Sequence, residues 1–288
     1  MLLKVISPFL IVVLLVACGG DNSPSSATLS EKSEAELGGT SSESKLSGGN
    51  KARSSSSSVK SRNSVVSSSS SGLAVKPCKT ESEDSCEYGS LTDERDGQSY
   101  KTVKIGDQWW MAENLNYQAE NSYCYNDSIS NCEKFGRFYT WASAMDSAGI
   151  WTMDGYGCGL ERYKTCSPTY PVRGVCPSGW HIPSEKEFVT LMTSVGGSLN
   201  AGLMLKSVSG WKEYINRNLD KFAFSALPAG IMNDKGMSLR KGSDAYFWSS
   251  SENTPSHAIG MDLYCHNDES ELLPYPKNNG FSIRCVKD

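Results

Sequence analysis

Between Gly19 and Pro77 the chain contains no phenylalanine, tryptophan or tyrosine. A stretch of 59 residues without aromatic side chains, with only scattered leucines and valines and no apolar periodicity, has little to bury, which excludes a packed domain there. Histidine is scarce as well: His181, His257 and His266 are the only three. No Cys-x-x-Cys pair occurs, so structural zinc is not expected and no zinc ligand is predicted. Positive charge is not in excess, with 28 basic against 32 acidic residues and a net charge of −4. That excludes a protein whose main task is to neutralise nucleic-acid phosphates. No apolar run approaches the roughly 20 residues that span a bilayer as a helix. Missing too are a Gly-x-Ser-x-Gly elbow, a Walker loop and His-Glu-x-x-His. No catalytic residue is therefore predicted, and the expectation is a protein that is not an enzyme.

What is present falls into three stretches. Residues 1–17 carry one basic residue, Lys4, followed by an apolar run over 9–17. This is the pattern of a secretory signal peptide. It ends in Leu15-Val16-Ala17-Cys18, which resembles the bacterial lipobox. The resemblance implies cleavage before Cys18, attachment of diacylglycerol to its sulfur and acylation of the new amine. More than one acyl chain gives stable membrane anchoring. The expected location is the cell envelope, lipid-anchored, at the outer membrane, facing either the periplasm or the surface. Residues 18–77 then hold the lipidated Cys18 and a tether in which 21 residues are serine, with pure serine blocks at 54–58 and 67–71. Such a chain cannot offset the backbone entropy of ordering, about 1–2 kcal/mol per residue, and reads as a disordered linker.

Residues 78–288 form the third stretch and read as one α+β domain. It carries 20 basic and 27 acidic residues, a local charge of −7. All 7 tryptophans and all 13 tyrosines lie in it. Residues 100–105 alternate as a strand, Gly106-Asp107 make a two-residue turn, and 108–111 return, so a hairpin is predicted. Residues 137–148 read as helical. The clearest helix starts at Ser184, which forms a capping box with Glu187. Phe188, Leu191, Met192 and Val195 then fall on one stripe, and Gly196-Gly197 stop it. A short helical piece covers 201–206. Beyond it the period changes to two at Phe222, Phe224 and Ala226, at 245–250, at 258–264 and at 281–286. The expected layout is helices in the first half and antiparallel strands in the second.

Several ordered blocks carry a family resemblance. Asp96-Gly97-Gln98-Ser99-Tyr100-Lys101-Thr102-Val103-Lys104-Ile105-Gly106 leads to Trp110-Met111-Ala112-Glu113-Asn114-Leu115-Asn116 and Gly136-Arg137-Phe138-Tyr139-Thr140-Trp141. Cys176-Pro177-Ser178-Gly179-Trp180-His181-Ile182-Pro183-Ser184 follows, then Phe247-Trp248-Ser249-Ser250-Ser251-Glu252 and Gly280-Phe281-Ser282-Ile283-Arg284-Cys285-Val286. From about residue 91 to 288 this set resembles the Fibrobacter succinogenes major paralogous domain, found in secreted and lipid-anchored proteins. That family brings no established activity with it. The Cys-Pro-x-Gly-Trp-His segment, the helix after it and the terminal Arg-Cys-Val also resemble the C-type-lectin-like fold.

Nine cysteines remain once Cys18 is set aside, so formal pairings are many and one sulfur is left over. An exported chain meets oxidising conditions. Cys78 and Cys86, Cys124 and Cys132, and Cys158 and Cys166 are each eight apart around polar segments and suit local staples. The lectin-like resemblance implies a fourth bridge, Cys176 to Cys285, which leaves Cys265 as the free thiol. Within the third staple, 155–159 reads as a glycine-rich loop closed by a disulfide.

The implied function is a surface-tethered, non-catalytic binding or adhesion module for a glycan or a protein; the alternative is a structural envelope lipoprotein without a discrete ligand. Trp109 and Trp110 are adjacent in a strand and so point to opposite faces; Trp110 is the candidate aromatic platform. Asp262, Asn267, Asp268 and Glu269 gather oxygen ligands between two strands, which suits calcium, with a plain polar turn as the alternative. The Glu-Pro-Asn and Trp-Asn-Asp sugar motifs of lectin-like domains are not matched, since Trp248 is followed by Ser249-Ser250.

Overall fold

A computed structural model describes residues 74–161, 164–213 and 218–288. The signal peptide, Cys18 and the tether up to residue 73 lie outside the described residues.

The domain opens with strands. β1 (Tyr88–Thr92), β2 (Ser99–Ile105) and β3 (Gln108–Met111) make an antiparallel meander. The β2–β3 hairpin is the expected one, and Gly106 supplies the positive φ of 63° that its two-residue turn needs. β4 (Ser122–Tyr123), α1 (Ile129–Phe135), β5 (Phe138–Tyr139) and α2 (Trp141–Ala144) follow as short pieces. After a long loop come β6 (Trp180–His181), α3 (Glu185–Ser194) and α4 (Ser198–Leu205). The hairpin of β7 (Ile231–Met232) and β8 (Ser238–Leu239) precedes three long strands. These are β9 (Asp244–Thr254), β10 (His257–Tyr264) and β11 (Ser270–Pro276), and β12 (Val286–Lys287) ends the chain.

Two sheets carry the architecture. One has the order β1-β2-β3-β12-β6, so the last strand slots between β3 and β6 through Val286 opposite Trp110 and His181. The other is the antiparallel sheet β11-β10-β9. α3 starts where the sequence places it: the Ser184 hydroxyl accepts from the Glu187 N–H and the Glu187 carboxylate accepts from the Ser184 N–H. Its stripe of Phe188, Leu191 and Met192 buries against Trp110, Phe224 and Phe247 in one core cluster. A second cluster gathers Trp141, Trp248, Tyr246, Phe281 and Ile283.

The α+β class holds, but the helices-first layout does not, because four strands precede the first helix. Within 137–148 only four residues are α-helical; Arg137 and Tyr139 give their N–H groups to Leu115 and Phe281 instead. Residues 222–226 are not a strand. Ala223 and Ser225 have positive φ of 52° and 53°, and Phe222, Ala223 and Phe224 are buried in succession, so the segment is kinked and does not alternate as a ladder strand would. Of 281–286 only the last residue joins a named strand; Phe281 and Ser282 form single bridges to Tyr139 and Phe247. β11 escaped the reading because Pro274 and Pro276 lie in it, which an edge strand tolerates.

Four bridges join described residues: Cys78–Cys86, Cys124–Cys132, Cys158–Cys166 and Cys176–Cys285. Cys265 is not the free thiol expected of it. It is buried and disulfide-bonded, and no cysteine is free among the described residues. The expectation rested on the odd count left when Cys18 is reserved for lipid, and a count does not say which sulfur is spare.

Candidate binding surface

Of the aromatic and acidic candidates, Trp110 and Asp262 are interior. Trp110 has no exposed surface; its ring stacks on Phe188 at 5.5 Å and meets Phe224 edge-on at 6.0 Å. It is a core residue and offers no platform, because β3 is covered on that face by α3. Asp262 is fully buried in β10. Its carboxylate accepts from the hydroxyls of Tyr264 (3.0 Å) and Tyr275 and from the Glu271 N–H (3.2 Å). Burial pushes its pKa up to about 6 against those hydrogen bonds. Asp262 is thus engaged inside the sheet rather than turned to a ligand. Asn267, Asp268 and Glu269 sit half-buried in the β10–β11 turn. There the backbone carbonyl of Asn267 accepts from the buried Lys206 ammonium (2.7 Å) and that of Asp268 from the Leu203 N–H (3.1 Å). Gly202 makes this approach possible, since a Cβ there would lie 2.3 Å from the Glu269 carbonyl oxygen. Among the described residues no group of three His, Cys, Asp or Glu side chains is placed to hold a metal ion.

The surface that stands out is the loop at 146–171. Asp146 anchors it from a buried position with φ of 54°. Its carboxylate accepts three successive backbone N–H groups, from Ile150 (2.8 Å), Trp151 (2.7 Å) and Thr152 (2.8 Å). Trp151 turns inward, edge-on to Tyr117 at 5.5 Å, and the Arg95 guanidinium lies 3.9 Å over the Tyr117 ring. Arg95 is held in turn by Asp93 at 2.6 Å. Gly155 sits so close to the end of α2 that a Cβ would lie 1.9 Å from the Met145 carbonyl oxygen. The glycine-rich run is indeed closed by Cys158–Cys166. The Cys166 N–H donates to Glu252 at 2.8 Å, and Glu252 pairs with the Lys277 ammonium. Lys277 lies 4.4 Å from the Trp141 ring centre, a cation over an aromatic face in a dry setting.

Against this stiff frame the loop holds its apolar side chains out. Ile150, Met153, Tyr156, Leu160 and Tyr170 are each more than half exposed. They are five of the thirteen large apolar residues exposed among the described residues, gathered within 21 positions. Hollows flank Leu160. One of about 450 Å³ lies between the loop, the β9–β10 turn at Ser256 and His257, and Lys277-Asn278. A cleft of about 140 Å³ lies toward Glu120, Ser143 and Trp151.

The first described residues lie at the other end. Val75 donates its N–H to the Ser194 carbonyl at 2.8 Å, where α3 ends. α4 then packs on the β10–β11 turn, whereas the loop borders the β9–β10 turn. The eight residues of β10 separate the two turns by roughly 25 Å. Apart from the glycine-rich staple, the sequence did not single out this loop. Its signal was weak: isolated apolar residues among glycines, with no period.

These features define a disulfide-stapled α+β domain with a pinned apolar loop at the end away from Val75. The chain belongs to the Fibrobacter succinogenes major domain family, whose model matches residues 103–287. No curated protein and no solved structure matches it.

Proposed function

We propose that the chain is a lipid-anchored envelope protein that presents a non-catalytic binding module on its serine-rich tether. The 146–171 loop is the contact face, and the ligand is a glycan or another surface protein. One observation carries this reading: five large apolar side chains are exposed on a loop fixed by Asp146 and Cys158–Cys166, at the end away from Val75. Clustered exposed apolar surface on a rigid support is characteristic of interaction sites. The lectin-like resemblance agrees with the Cys176–Cys285 bridge, which ties the segment before β6 to the strand that ends the domain.

The test is binding by the full chain to a glycan array and to envelope extract, beside the double variant Ile150→Ser, Leu160→Ser. Both side chains are exposed, so the variant should melt within a few degrees of wild type while its ligand binding is lost. Equal binding by both proteins would reject the loop as the contact face. No ligand from either source would favour the second reading, a structural envelope lipoprotein. The anchor has its own test. Cys18→Ser should release the protein from the membrane fraction, and intact mass should show acyl chains on the native protein.

A further inference from the structure

We propose that the hollow between α3 and Tyr170 is a subsite for a neutral saccharide. It encloses about 450 Å³ and is lined in part by Tyr170, His181, Ser184, Lys186, Thr190 and Ser250. The Tyr170 side chain is 55% exposed, and its hydroxyl reaches the Ser250 carbonyl at 3.4 Å. An exposed, tethered aromatic ring offers a flat apolar face with a polar edge, which suits the C–H face of a sugar ring.

Ser250 is the second and independent observation. It is 1% exposed, its N–H donates to the Pro183 carbonyl at 2.9 Å, and its side-chain hydroxyl has no hydrogen-bond partner. A buried hydroxyl left unpaired is unfavourable, and a ligand hydroxyl in this hollow would satisfy it. The Lys186 amine has no partner among the described residues, and the Thr190 hydroxyl, which donates to the Lys186 carbonyl at 3.0 Å, still has acceptor capacity. Glu187 and His181 are already committed: Glu187 accepts from His181 at 2.9 Å and from Ser184 at 2.8 Å, and His181 also bonds Asp288 at 2.6 Å.

The free groups are therefore one aromatic face, hydroxyls and a single ammonium. Lys186 stands between Glu185 and Glu187, so the hollow does not present the cationic field that a phosphate or carboxylate ligand requires. His181 and Ser184 set polar atoms beside the apolar Pro171, Val172 and Ile182, so the hollow is mixed in character and not the wholly apolar slot that an acyl chain requires. A polyhydroxylated, uncharged ring fits what is left. This rests on the reading of the domain as a binding module and gives that module a ligand class.

The experiment uses the full chain with an array of neutral gluco-, manno-, galacto- and xylo-oligosaccharides, followed by calorimetric titration of the strongest binder. Tyr170→Ala should weaken binding about tenfold or more, and Tyr170→Phe should keep most of it. Ser250→Ala should weaken binding about threefold or more with a Tm unchanged or raised, because the hydroxyl it removes is unpaired in the free protein. The proposal is overturned if no neutral saccharide binds, if Tyr170→Ala binds like wild type, or if Ser250→Ala lowers the Tm. A protein ligand held through Ile150 and Leu160 with no saccharide bound overturns this subsite alone. No ligand of either kind overturns both readings.

Discussion

His181 joins three elements through one ring. Its nitrogens face Asp288 at 2.6 Å and Glu187 at 2.9 Å, so the imidazolium bonds the end of the chain and the first turn of α3 at once. Burial pushes its pKa down, but the two carboxylates outweigh this and the value is raised. A folded value above the unfolded one means that the stabilisation is full below about 6.5 and is lost as pH rises through the folded value. His181→Gln should therefore cost about 1–2 kcal/mol at pH 6 and clearly less at pH 9. Denaturant melts at the two pH values check this, and an equal cost at both would reject the latch. Arg284 is the other residue whose role is not local. It is fully buried, with Nε donating to the Asn114 amide oxygen (2.8 Å) and its two terminal nitrogens to the carbonyls of Phe224 and Ser225. Those carbonyls belong to the segment kinked at Ala223 and Ser225. Arg284→Met strips three buried acceptors and should destabilise by about 3 kcal/mol. Arg284→Lys, which keeps charge but not the planar fork, should lose most of that amount in urea titrations with the bridges intact.

Among the elements, α3 was the most legible, because its capping box and its buried stripe are both local patterns read along one segment. The β2–β3 hairpin was legible for the same reason. The short strands were not: β5 and β12 are two residues each, too few for a period to show, and they exist because distant partners supply their hydrogen bonds. The 146–171 loop belongs with them. Its shape depends on Asp146 taking three N–H groups and on Glu252 reaching across from β9 to Cys166. Asp146→Ala should expose the amides of Ile150, Trp151 and Thr152 to rapid hydrogen exchange while α3 stays protected. Protection unchanged at those three amides would show that the loop is held by something else. The bridges should rank by loop length. Removing Cys158–Cys166 should cost at most ~2.6 kcal/mol and removing Cys176–Cys285 at most ~4.8 kcal/mol, from the chain entropy each restrains. Thermal melts of the paired Cys→Ser variants test that order.

At the scale of the whole molecule, several buried groups pull stability in one direction with pH. Burial raises Asp262 to about 6 and raises Asp244 as well, and the two carboxylates raise His181. Each holds a proton more readily folded than unfolded, so stability should increase as pH falls from about 7.5 to about 5. Glu187, held low by His181, opposes this only below its unfolded value of 4.5. Lys206, pushed down by burial to about 8, affects only the alkaline side. Calorimetric scans across that range check the sign, and a Tm that falls toward pH 5 would contradict it. The amino-acid sequence alone determined the things that local chemistry or composition decides. These are the signal-like and lipobox-like pattern, the serine-rich composition of the stretch after it, the i,i+8 cysteine staples, the α3 cap and the family blocks. Tertiary structure alone decided what depends on distant neighbours. It turned Trp110 and Asp262 from candidate ligand contacts into interior residues, because α3 covers the one and two tyrosines with a neighbouring strand engage the other. It also brought Ile150, Leu160 and Tyr170 out on a braced loop, since exposure follows from which surfaces remain after packing, and no single segment contains that information.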